Sequence, residues 1–151
     1  MRLWIPEEVF IDDEQQFMDE LISKIENIIS KEPIDIHVNP TFLPERLANR
    51  YDELWTDSRI DRFIKVLADN HIALEINSRY KIPSEKILRK AKEAGIKFTF
   101  GTNNAATDLG TLDYSLEMKE KLGLTYKDMF MPKKQNEKPV LVKGLPAKIT
   151  G

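Results

Sequence analysis

Residues 72–101 open with Ile72-Ala-Leu-Glu-Ile-Asn77 and, after a polar break, reach Ile82-Pro-Ser84. A charged run then leads to Gly95, and the segment closes with Ile96-Lys-Phe-Thr-Phe-Gly101. The first apolar run is too short for a helix and reads as a strand. Ser84 behind Pro83 is placed to cap a helix whose inward positions are Ile87, Leu88, Ala91 and Ala94. Gly95 suits the residue just past that helix, where a left-handed backbone is needed. Ile96–Phe100 is the next strand, running into Gly101, Thr102, Asn103 and Asn104. A strand, a helix and a strand joined by connections this long pair in parallel through a right-handed crossover.

The same alternation extends outward on both sides. Arg2–Ile5 predicts a short strand stopped by Pro6, and Asp12 and Asp13 offer acidic caps for a helix. That helix carries Phe17, Met18, Leu21, Ile22, Ile25, Ile28 and Ile29 as one apolar stripe and ends before Pro33. Ile34–Asn39 predicts a strand closed by Pro40. Thr41–Trp55 reads as a long loop with a short helix, and its aromatics, with Trp4, read as core or as a lid over a site. A helix from Asp57 or Ser58 buries Ile60, Phe63, Ile64 and Leu67 and stops near Asn70. The last helix spans Leu109–Leu122 and stops at Gly123, with Thr125 and Asp128 in capping-box spacing beyond it. Met129–Met131 reads as a docking run for the tail or for a partner. The expected fold is thus α/β, four parallel βα units over residues 1–131, followed by an extended tail over 132–151. A closed barrel of such units needs about 250 residues, so four units form either a small open sheet or part of a larger barrel.

Composition excludes several function classes. The chain has 151 residues with 23 Lys and Arg against 25 Asp and Glu, a net charge of −2, which gives no electrostatic footprint for nucleic acid or anionic membranes. No apolar run approaches the ~18 residues of a membrane span. The absence of Cys removes disulfides, thiolate metal sites and cysteine nucleophiles, and it fits a reducing compartment such as the cytoplasm. There is no phosphate-cradling glycine pattern and no nucleophile elbow.

Sites in parallel α/β folds lie at the carboxyl ends of the strands, and polar residues gather there. Period two sets Asp35, His37 and Asn39 on one face of their strand, and Glu75 and Asn77 on one face of the next. Asn103 and Asn104 follow the last strand. His37, Asn39, Glu75, Asn77, Asn103 and Asn104 are therefore the candidate ligand-binding residues, expected to converge, with His37 one layer deeper than Asn39. Glu75 is the most informative, because a carboxylate in an apolar strand needs a partner; a structural ion pair would also account for it. His71 is expected to be exposed.

Taken in order, Asp35-Ile-His-Val-Asn-Pro-Thr41, Ala73-Leu-Glu-Ile-Asn77, Ile82-Pro-Ser-Glu-Lys86 and Phe98-Thr-Phe-Gly-Thr-Asn-Asn104 resemble the last strands of the polymerase-and-histidinol-phosphatase (PHP) family. The resemblance covers about Ile34 to Gly123. It implies a distorted (β/α) barrel of which this chain is the carboxyl-terminal portion, and metal-dependent hydrolysis of phosphoesters. The chain departs from the pattern at the metal ligands. Asn39-Pro40 stands where the family has His-Pro, Asn103 where it has a ligand Asp, and Ala105 where it has a ligand His; the opening His-x-His is absent. Neutral amide oxygens and a methyl group cannot replace anionic and imidazole ligands. The resemblance thus implies a PHP-type hydrolase homologue that is inactive alone. A divalent metal (zinc, manganese or magnesium) would be held only in a full-length parent, beyond a single weak site using His37, Glu75 or Asn103. The implied partner is a missing amino-terminal barrel half or a second copy of the chain, not nucleic acid or membrane. The alternative is a non-catalytic α/β module whose Asn-rich strand ends hold a neutral polar ligand such as a sugar.

Overall fold

The computed structural model describes residues 11–103 and 110–133. Three strands, β1 (Ile36–His37), β2 (Ala73–Asn77) and β3 (Phe98–Gly101), form one parallel sheet in the order β1-β2-β3. Helix α1 (Glu14–Lys31) precedes the sheet. Between β1 and β2 lie α2 (Glu45–Ala48), α3 (Tyr51–Leu54) and α4 (Asp57–Asp69); α5 (Glu85–Glu93) links β2 to β3, and α6 (Asp113–Leu122) follows. The expected α/β class is present as an open three-stranded sheet. The fourth predicted strand, Arg2–Ile5, lies outside the described residues, as do Asn104 and most of the predicted tail.

Register divides the sheet into two faces. His37 pairs with Leu74, Leu74 with Phe98 and Ile76 with Phe100, so these share one face. Ile36, Ala73, Glu75, Asn77, Thr99 and Gly101 share the other. The first face carries the core: Leu74, Ile76 and Phe98 join Phe63 of α4 and Ile87 and Leu88 of α5 in one buried cluster. Helices α4 and α5 lie side by side over it, tied at their surfaces by Lys90 to Asp61 and Lys86 to Asp57. Sequential parallel strands joined by crossovers of one hand place their connecting helices on one side of the sheet. Helix α1 packs outside α4, where the Arg62 guanidinium grips the Glu26 carboxylate with two hydrogen bonds of 2.9 and 2.7 Å.

Among the described residues Arg59 is the one buried charge. Its guanidinium donates to Asp19 of α1 and to the backbone oxygens of Leu54 and Gln15, so each end of the fork is answered. Helix ends follow local chemistry. Asp13 caps α1 by accepting from the Gln15 and Gln16 amides, and Thr56 accepts from Arg59 N–H. Gly123, at φ +59°, closes α6 while Leu124 N–H donates to Lys119 O. Thr125 and Asp128 form the expected capping box around a short 3₁₀ turn.

Several boundaries differ from the sequence reading. The strand predicted at Ile34–Asn39 is only Ile36–His37. Asn39 turns to φ +46° and directs its N–H to a carboxylate instead of a ladder partner. The strand predicted from Ile96 begins at Phe98, because Ile96 N–H is taken by Ala91 O in closing α5. The loop predicted at Thr41–Trp55 holds two short helices, and Trp55 belongs to the core, buried against Phe63. Phe130 N–H donates to Phe98 O, so the segment after α6 docks along the outer edge of β3.

Candidate functional site

The carboxyl ends of the three strands meet at Glu75. Its Oε2 accepts the Asn39 backbone N–H at 2.7 Å and the Asn77 side-chain amide at 3.3 Å. The same Asn77 Nδ2 donates to Asn39 Oδ1 at 3.1 Å, while Asn77 Oδ1 accepts the Tyr80 N–H at 3.0 Å. Asn77 is fully buried, and its backbone exchanges both hydrogen bonds with Ile82 to close the loop between them. The other carboxylate oxygen lies over Gly101 of β3: a Cβ on that glycine would stand 1.7 Å from Glu75 Oε1. One carboxylate therefore ties the segment after β1 to the end of β2 and packs against the end of β3. The charge sits half-buried because it has a charge-assisted donor and a glycine that lets it approach.

The predicted convergence is thus real for Asn39, Glu75 and Asn77. Asn103 is exposed and has no bond to these three; its backbone oxygen accepts from Arg79 Nη1 at 3.0 Å. His37 does not join. Register sets it on the opposite face of the sheet, and its ring meets the edge of Phe63 at 5.6 Å. The expectation that it shares the Asn39 face fails because the strand ends at His37, so period two no longer links the two residues. His71 is exposed, as expected.

Burial among apolar neighbours holds the His37 pKa below its ordinary value. The folded protein therefore keeps the imidazole neutral at pH values where the unfolded chain takes up a proton. Stability is fully present above the unfolded pKa of 6.5 and falls as pH drops through it toward the folded value. The carboxylates held low by basic or backbone partners, such as Glu26, Asp57 and Asp128, act in a more acidic window. Thermal melts at about pH 7.5 and about pH 5.5 are expected to show a lower midpoint in acid. His37→Gln is expected to flatten that difference.

Backbone strain concentrates at the same end of the sheet. Asn39, Thr41, Lys81 and Asn103 all have positive φ, and Thr41, at +62°, is β-branched. Thr41 is held there by two contacts. Its hydroxyl shares a hydrogen bond with Tyr51 Oη, and its carbonyl accepts from the Trp55 indole N–H at 3.2 Å. Tyr51 Oη also accepts Ser84 N–H, joining the loops that follow β1 and β2; burial pushes its phenol up to about 12. Tyr114 of α6 donates to Pro83 O at 2.6 Å, and burial pushes its phenol upward too. These loops and α6 enclose a cleft of about 500 Å³, whose rim carries Phe42 and Tyr80 and whose walls include Tyr51 and Tyr114. The sequence reading did not single out Tyr80.

A divalent metal does not fit this donor set. Among the described residues no three His, Asp or Glu side chains come together as metal ligands. At the strand ends Glu75 is the single carboxylate in the cluster, and its Oε2 is engaged by amide donors. The chemistry these residues supply is hydrogen bonding and positioning. No protein family, characterised protein or solved structure matches this chain.

Proposed function

We propose that this chain is the carboxyl-terminal arc of a PHP-like α/β barrel, a homologue of metal-dependent phosphoesterases that is not hydrolytic by itself. The observation that carries this reading is the sheet: parallel strands in sequential order, with α4 and α5 on one face and Glu75 on the other at the strand ends. The outer edge of β1 pairs with no described strand. An unpaired parallel edge favours completion by further strands, from a preceding barrel half or a second copy. Ligands for a hydrolytic metal centre would have to come from those strands. Within the arc alone, carboxamides and one occupied carboxylate favour a neutral polar ligand at the strand ends over a metal.

One preparation tests this reading. Dialysed against zinc, manganese or magnesium, the chain is expected to retain no stoichiometric metal pair and to leave a generic phosphate monoester uncleaved. It is also expected to sediment above its monomer mass of 17.5 kDa. Two retained metals, with phosphatase activity abolished by Glu75→Gln, would overturn the non-hydrolytic reading. A clean monomer would remove the case for completion by a second copy.

A further inference from the structure

We infer that the cleft between the strand-end loops and α6 is a binding site for a neutral sugar ring, with Tyr80 and Phe42 as its aromatic wall. The inference rests on the neutral-ligand reading above and names its place and chemical class. Three observations support it.

First, the wall is exposed without a folding reason. Phe42 and Tyr80 pack edge to face, with centroids 4.9 Å apart, yet keep 39% and 41% of their surfaces open. Two aromatic rings fixed together at a cleft mouth present an apolar platform to solvent, which adds nothing to the core. A sugar ring has a C–H face that covers such a platform.

Second, the wall is held in place by the buried polar network. Asn77 Oδ1 fixes the Tyr80 N–H, and the Arg79 guanidinium sits 5.7 Å from the Tyr80 ring centroid while donating to Asn103 O. Phe42 follows Thr41, whose strained backbone is clamped by Tyr51 and Trp55. Asn77, first read as ligand-binding, thus acts as a positioning residue for the Tyr80 ring. This also accounts for an Asn that is fully buried at a strand end.

Third, the polar groups match hydroxyls. Asp52 and Lys81 line the cleft and form no ion pair among the described residues, whereas Glu85, Glu117 and Lys121, also lining it, are held in ion pairs. The unpaired groups are one acceptor and one three-fold donor of opposite sign. Together they are balanced for an uncharged ligand that both donates and accepts. A volume of about 500 Å³ is enough for one or two sugar rings.

Saturation-transfer NMR with a panel of neutral mono- and disaccharides tests the inference, with glucose 6-phosphate as the charged comparison. At least one neutral sugar is expected to bind with a Kd of about 1 mM or tighter. Tyr80→Ala is expected to weaken it tenfold or more, while Tyr80→Phe, which keeps the platform, stays within about threefold. Circular dichroism verifies that each variant is folded. No signal from any neutral sugar overturns the inference, as does binding of the phosphate ester alone. A sugar whose binding survives Tyr80→Ala but is lost in Asn103→Ala overturns the cleft and leaves the strand-end reading standing.

Discussion

Gly101→Ala is expected to destabilise the protein by about 1–3 kcal/mol, although it adds one methyl group to a strand. The new Cβ would stand 1.7 Å from Glu75 Oε1 and 2.4 Å from its Cδ, so the carboxylate must leave. Its departure breaks the bonds from Asn39 N–H and Asn77 Nδ2. A hydrogen bond to a charged group contributes roughly 1.5–3 kcal/mol. Asn77 Nδ2 keeps its bond to Asn39 Oδ1, and exposed Asn39 can turn its N–H to water, so the main loss is the charge-assisted bond between Asn39 and Glu75. Urea denaturation of four proteins measures the effect: the parent, Gly101→Ala, Glu75→Ala and the double variant. In the Glu75→Ala background the glycine substitution is expected to cost under about 1 kcal/mol, because the atom it strikes is gone. Equal costs in both backgrounds would mean that Glu75 does not hold the strand ends together.

Much of this arrangement was legible in the sequence, for identifiable reasons. The unit from Ile72 to Gly101 could be read because its punctuation is local: Ser84 at the N-cap position of α5 (though its hydroxyl makes no capping bond), Gly95 past its end, and apolar residues at helical spacing between them. Glu75 stood out because an acid inside an apolar strand requires a partner, and the partners proved to be amides and not a cation. The error over His37 has the same origin as the shortened β1. Alternation along a strand holds only while the strand lasts, and Asn39 leaves it in a left-handed turn. The cleft was hidden for a different reason. Phe42 and Tyr80 lie on separate loops, and only the parallel pairing of β1 with β2 brings those loops together. Arg59 is likewise invisible in sequence, since nothing local distinguishes an arginine that reaches back to α1 from one facing water.

Trp55→Ala is expected to cost about 3–5 kcal/mol, the range for removing a large aromatic from a packed core. That is a large share of the roughly 5–15 kcal/mol that a domain of this size holds. Trp55 is almost wholly buried, its ring packed 5.6 Å from Phe63 and 6.3 Å from Tyr51. Its loss opens a cavity between α3 and α4 that rigid helices cannot collapse to fill. Trp55→Phe separates the two roles of the side chain. It keeps most of the apolar volume but deletes the indole N–H that the Thr41 carbonyl accepts. A smaller loss of about 1–2 kcal/mol is expected, from one unmade buried hydrogen bond and a modest void. The consequence for the site differs from the consequence for the fold. Thr41 holds its positive φ with the Trp55 and Tyr51 contacts, so removing one releases the loop that carries Phe42. In Trp55→Phe the Phe42 and Tyr80 ring resonances are therefore expected to shift and lose their mutual nuclear Overhauser contacts, while those of Ile87 and Leu88 stay in place. Unchanged ring contacts in a folded Trp55→Phe variant would show that the aromatic pair stands without the clamp.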